Sequence, residues 1–237
     1  MNLRSSALTD IGRVRTENED SNLCDDQNRL YAVADGIGGL PAGADASRTA
    51  ISSLIDWFSR QRAPGPYDYT AGLAEINEKV FLLGRVLSPR LGIGTTLTIA
   101  HFDTDHVAVI HVGDTSMYRL RDSQLEALTS EHNVENEMRL RAARGEPAMM
   151  FTENRQALTR CVGQPPPLVG DIHAHTLHRG DRYLICSDGV TRYLQPPEIE
   201  RLLTQAATPH DICHALVEIA NDRGGVDNST AVAIFVD

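Results

Sequence analysis

Residues 30–39 read Leu-Tyr-Ala-Val-Ala-Asp-Gly-Ile-Gly-Gly, and the break at Asp35 decides how the chain is read. The run LYAVA (30–34) is apolar at every position, so a strand built from it has both faces covered. Asp35 ends it, because aspartate is a poor strand residue and a buried carboxylate must be solvated, paired or bound to a cation. The pattern recurs outward along the chain. HVAVIHV (106–112) runs into Gly113-Asp114, RYLIC (182–186) into Ser187-Asp188, and Asp227-Asn228 leads into TAVAIFV (230–236). TTLTIA (95–100) and SMYRL (116–120) are further strand-like runs, and Glu19-Asp20 precedes a short segment at 21–24.

Helical periodicity frames these strands. Ile51, Leu54, Ile55 and Phe58 fall at i, i+3, i+4 and i+7, and Leu73, Ile76, Val80, Leu83 and Leu87 alternate steps of three and four. Ile199, Leu202 and Leu203 follow Pro196-Pro197, and Ile212, Leu216 and Ile219 form a stripe behind Thr208, Pro209 and Asp211, which resemble a capping box with proline in the first turn. The helices therefore come as pairs, at 44–60 with 70–88 and within 196–222, with strands between. That order is not strict βαβ alternation. It predicts an α+β fold with helices segregated onto the outer layers of a β-sandwich. The Pro/Gly-rich breaks at 63–66 and 164–167 read as loops inside one domain spanning 1–237.

The chain has 237 residues, 41% hydrophobic and 23% charged, which is ordinary globular composition. Its formal net charge of −10 disfavours nucleic acid and anionic lipid as partners. No stretch approaches the roughly 18–20 apolar residues of a membrane span, and the N-terminus lacks a signal-peptide core. Cys24, Cys161, Cys186 and Cys213 are scattered, which suits reduced thiols in the cytoplasm.

One Asp-Gly is an ordinary turn. Several aspartates ending strands that pack together are different, because clustered carboxylates repel unless a hard cation with oxygen ligands joins them. No Cys/His set suits zinc, so Mn2+ or Mg2+ is expected. Two such ions sharing a carboxylate, roughly 3.5–4 Å apart, acidify a bridging water for in-line attack on phosphorus.

The motifs GxxRxxNED (12–20), VADGIGG (33–39), GTTL (94–97), HVGD (111–114), ALTRCVG (157–163), LICSDGV (184–190) and VDNSTAVAI (226–234) stand in the order seen in type-2C metal-dependent protein phosphatases. The chain resembles the short bacterial form over essentially its whole length. The resemblance implies a four-layer α/β/β/α sandwich, two antiparallel sheets flanked by helix pairs, that hydrolyses phosphoserine and phosphothreonine in proteins and opposes a partner kinase. It implies that Asp35 bridges two ions, that the Gly36 carbonyl binds one, and that Asp188 and Asp227 complete the other. It implies further that Glu19 and Asp20 act mainly through metal-bound waters, that Arg15 grips the substrate phosphate, and that Asn228 supports Asp227.

Three positions depart from the family pattern. Arg192 stands where an aspartate commonly helps hold a third ion; it either fills that site or empties it, and weakens the case for Asp114 as a ligand. Ile37 stands where some relatives carry a histidine acid, so leaving-group protonation falls to a metal-bound water. Glu131-His132 replaces an Asp-His pair before a flap-like segment at about 133–155, expected to cover the site. His173, His175 and His178 read as an exposed strand surface, and His210 and His214 as a solvated helix face. Ser187 lacks a nucleophile elbow. Two further readings keep the same fold: a phosphatase for one regulatory protein in a partner-switching or secretion-control circuit, and a silent phosphoprotein sensor favoured only by Arg192.

Overall fold

The computed structural model describes residues 1–61, 67–147 and 154–237. Ten strands form two antiparallel sheets of five. The first contains β1 (Leu3–Asp10), β10 (Ser229–Val236), β9 (Arg182–Cys186), β6 (Ser116–Arg121) and β7 (Gln124–Ala127), in that order. The second contains β2 (Asp20–Asp25), β3 (Leu30–Asp35), β4 (Leu97–Phe102), β5 (His106–Val112) and β8 (Asp171–Thr176).

The apolar character of β3 on both faces has a direct cause. Leu30, Ala32 and Ala34 pack under α1 (Gly43–Ser59) and α2 (Tyr69–Leu87), against Ala46, Leu54 and Ile76. Tyr31 and Val33 point the other way, into a layer shared with Tyr183, Ile185, Val232 and Ile234 of the first sheet. In that sheet the alternate residues Leu184, Cys186, Ala231 and Ala233 pack under α6 (Pro209–Asp222), beside α5 (Pro196–Gln205). Each sheet thus buries both faces, one against helices and one against the other sheet, which is the expected four-layer sandwich. Tyr31, Phe102 and Tyr183 pack edge-on in the middle layer, with ring centroids 5.5 and 5.1 Å apart.

The helix pairs lie within a residue of their expected limits, and 196–222 holds two helices, as expected, parted at 206–208. Thr208 and Asp211 make the full capping box at α6. Four elements were not anticipated. β1 (LRSSALTD) and β7 (QLEA) lack continuous apolar runs and exist because they pair along the edges. α4 (Asp188–Thr191) is a single turn, and α3 (Val134–Ala143) buries none of its side chains. The flap-like segment at 133–155 therefore begins as an exposed helix, while its residues 148–153, like the break at 63–66, lie outside the described residues.

Candidate active site

Asp20 is where the two sheets are tied. It opens β2 opposite Asp35 at the end of β3, in the second sheet. Its Oδ2 accepts hydrogen bonds from the first sheet, from Ser187 Oγ just past β9 at 2.8 Å and Thr230 Oγ1 on β10 at 2.6 Å. Its Oδ1 is buried without a hydrogen-bond partner. Burial pushes the Asp20 carboxyl above the usual range, against the pull of those two hydroxyls. Asp35 is also raised, first by burial and then by the charges of Asp20, Asp188, Asp114 and Asp227. Its backbone is pinned on both sides: Thr96 Oγ1 accepts from its N–H at 2.9 Å, and its carbonyl accepts from Thr95 Oγ1 at 2.9 Å.

Gly36 follows in a place only glycine fits. A Cβ there would stand 2.5 Å from the Gly43 backbone and 2.9 Å from the Glu19 carbonyl. The Glu19 carboxylate turns toward the start of α1, where the Gly43 N–H bonds to it, yet burial still raises its pKa. Asn228 staples this loop to β10. Its Oδ1 accepts from the Glu19 N–H at 2.8 Å, and its Nδ2 donates to the Ile11 and Glu17 carbonyls at 2.9 and 3.0 Å.

Asp188 opens α4 and Asp227 precedes β10, so both reach the same end of the sandwich as Asp35. Burial raises Asp188, with Arg192 opposing. Asp114, past β5, is pushed up to about 7 by burial and by the charges of Asp188 and Glu131. Among the described residues no three His, Cys, Asp or Glu side chains form a ready-made cage for an ion. Two arginines approach the acids instead. Arg15 lies 3.2 Å from Glu19 and 2.8 Å from Asp227. Arg192 lies 3.0 Å from Asp188 and 3.6 Å from Asp227. Asp35, Asp114, Asp188 and Asp227 with these arginines line a cleft that also includes Gly36, Gln156 and Cys161. It adjoins a second cleft, sharing Asp114, Gln156, Asp188 and Arg192 with it.

The donor set fits a hard divalent cation: every acidic group is a carboxylate oxygen, one oxygen is orphaned, and mutual repulsion raises the cluster. Sequence reasoning missed the hydroxyls that hold the acids. Ser187, Thr230 and Thr96 sit on or beside buried strands, where a hydroxyl is unremarkable until its partner is known. Ser187 is fully buried and accepts from the Thr230 N–H at 3.0 Å while bonding Asp20, a supporting arrangement rather than an exposed nucleophile. His210 and His214 stack on the exposed side of α6. His173 is exposed on the edge strand β8 as expected, but His175, on the same face, is half-buried near Arg119 and Arg121 of the other sheet.

Residues 13–221 match the family model described as Protein phosphatase 2C. The chain belongs to the protein phosphatase 2C family. The similarity extends through whole chains. Protein phosphatase PhpP of Streptococcus pneumoniae is 31% identical over 98% of this chain and 97% of its own length. The Ser-Thr phosphatase MsPP of Mycobacterium smegmatis, solved in complex with cacodylate, is 35% identical with a TM-score of 0.83 and 98% of each chain covered. The catalytic domain of the serine/threonine phosphatase PstP, solved in complex with two manganese ions, is 30% identical with a TM-score of 0.82 and 99% of each chain covered. No helix among the described residues is long and apolar enough to cross a membrane.

Proposed function

We propose that this chain hydrolyses phosphoserine and phosphothreonine esters in proteins, using two Mn2+ or Mg2+ ions, and opposes a serine/threonine kinase in the cytoplasm. The observation that carries the reading is the meeting of Asp35, Asp114, Asp188 and Asp227, drawn from both sheets, at one cleft, with Asp20 buried opposite Asp35 and one of its oxygens orphaned. The relative solved with two manganese ions supports the choice of cofactor.

Asp35, the Gly36 carbonyl, Asp188 and Asp227 are the residues that would hold the ions, with Glu19 and Asp20 behind them. Divalent cations held there would lower the pKa of water and neutralise charge developing on the phosphoryl oxygens. Arg15 supplies a planar guanidinium for the substrate phosphate; it packs across Gly38 and lines the cleft, and one-third of its side chain is exposed. Asn228 keeps the loop bearing Arg15 and Glu19 in register with Asp227. Arg192 pairs with Asp188 and lines the cleft together with Asp114, so a cation already stands there and a third ion is not part of this reading.

The test is hydrolysis of p-nitrophenyl phosphate and a phosphothreonine peptide by the full chain with manganese, with magnesium and with EDTA. Turnover with metal that is lost in EDTA is expected. No turnover with either metal, in protein shown to be folded, would overturn the reading and favour a phosphoprotein sensor.

A further inference from the structure

Behind Asp114 lies a chain of side chains that makes no hydrogen bond to the clustered carboxylates themselves. His132 is 3% exposed. Its Nδ1 lies 3.1 Å from the Gly113 N–H, which can only donate, so Nδ1 carries no proton. The proton of the neutral ring is therefore on Nε2, which donates to Asp171 Oδ2 at 3.2 Å. Burial lowers the His132 pKa, consistent with the neutral ring. Asp171 Oδ1 in turn accepts from Arg160 at 2.8 Å.

These contacts join three separate pieces of the cleft border. The Gly113–Asp114 turn is held twice, because the His132 N–H also donates to the Gly113 carbonyl at 2.7 Å. The segment entering α3 is held through His132 itself and through His111, whose Nε2 donates to the Ser130 carbonyl at 3.2 Å while its ring packs 4.6 Å from that of His132. The returning segment is held through Arg160 and through the Thr159 N–H, 2.7 Å from the His132 carbonyl. Glu131 and Gln156, on these two segments, line the second cleft, and Gln156 with Cys161 lines the first. Asp171 and Arg160 border neither of these two clefts.

We propose that Asp171, His132 and Arg160 form a positioning device that fixes the wall between the two clefts and so sets the fit of the polypeptide around the phosphorylated residue. The proposal rests on the phosphatase reading above. A small ester fills only the phosphate end of the cleft, whereas a phosphoprotein must also run along the wall. Loosening the wall therefore raises KM for the protein substrate and spares turnover of the small one.

Two variants separate the links. In His132→Gln the amide nitrogen can replace Nε2 and keep Asp171, but the Gly113 N–H loses its acceptor. In His132→Asn the amide oxygen can replace Nδ1 and keep Gly113. Both lose the ring that packs on His111, so that loss cancels in the comparison. The expected result is that His132→Gln raises KM for a phosphothreonine peptide by about tenfold or more, the scale of one stranded buried donor, with kcat for p-nitrophenyl phosphate changed less than about twofold. His132→Asn recovers most of the loss. Hydrogen exchange at the Gly113 amide speeds up in the Gln variant and stays slow in the Asn variant. Equal loss of kcat on both substrates, an unchanged peptide KM, or equal exchange in the two variants would overturn the proposal. If the wild-type chain hydrolyses nothing, the phosphatase reading fails by itself; calorimetric binding of the phosphopeptide then replaces KM, and the exchange comparison still decides.

Discussion

Arg15 holds a position between two roles, paired with Glu19 and Asp227 yet open to the cleft. A guanidinium that binds a phosphate through charge-assisted hydrogen bonds contributes roughly 1.5–3 kcal/mol. Arg15→Ala should therefore raise KM for small phosphate esters by roughly tenfold to a hundredfold. Steady-state kinetics checks this, and an unchanged KM removes Arg15 from the substrate site. Asp114 gives a second prediction. Its carboxyl moves from the ordinary 3.8 to about 7 in the folded protein. Between those values the unfolded chain has released the proton and the folded chain keeps it, so Asp114 makes stability fall as pH rises across that window. In EDTA, the melting temperature should drop from about pH 5 to about pH 7, and the drop should be shallower in Asp114→Asn. A slope identical in the two proteins would contradict the burial and charge assigned to Asp114. At this scale the acids were legible in the sequence because each interrupts an apolar run. Ser187, Thr230, Thr96 and the His132 chain were not, since their partners lie many residues away and only the fold brings them together.

Among the elements, those with two apolar faces or a helical stripe could be read directly. β3, β5, β9 and β10 are continuous apolar runs because each packs between a helix layer and a sheet layer. β1 and β7 escaped for the opposite reason: as edge strands they carry no continuous apolar run and owe their existence to backbone pairing with β10 and β6. α3 escaped because it has no buried face to leave a stripe. The α6 start is the clearest local signal, with Thr208 and Asp211 exchanging hydrogen bonds at 3.2 and 2.9 Å. Thr208→Ala should cost about 1 kcal/mol of stability, read by denaturant unfolding, and leave turnover unaltered because α6 lies away from the cleft. A change in kcat would show that α6 communicates with the site.

For the molecule as a whole, the acidic balance and the acidic cleft pose one problem. A chain of net charge −10 must bring a phosphate to a point where five aspartates converge. Arg15 and Arg192 offset part of that field, and divalent cations would reverse the rest. The sandwich makes such a site possible: Asp20, on one sheet, is bonded by Ser187 and Thr230 of the other, so the strand ends carrying the acids are fixed relative to one another. The helix segregation behind this arrangement was readable from periodicity. The pairing of ten strands into two sheets was not, because strand order depends on long-range hydrogen bonds that leave no local trace. Asp35 is the residue on which every other acid in the cluster acts. The most direct test of the account is phosphate release from a phosphothreonine peptide by Asp35→Asn beside the wild-type chain, both folded and both supplied with manganese. The account predicts that the asparagine variant loses essentially all turnover while keeping its structure; near-full activity would contradict it.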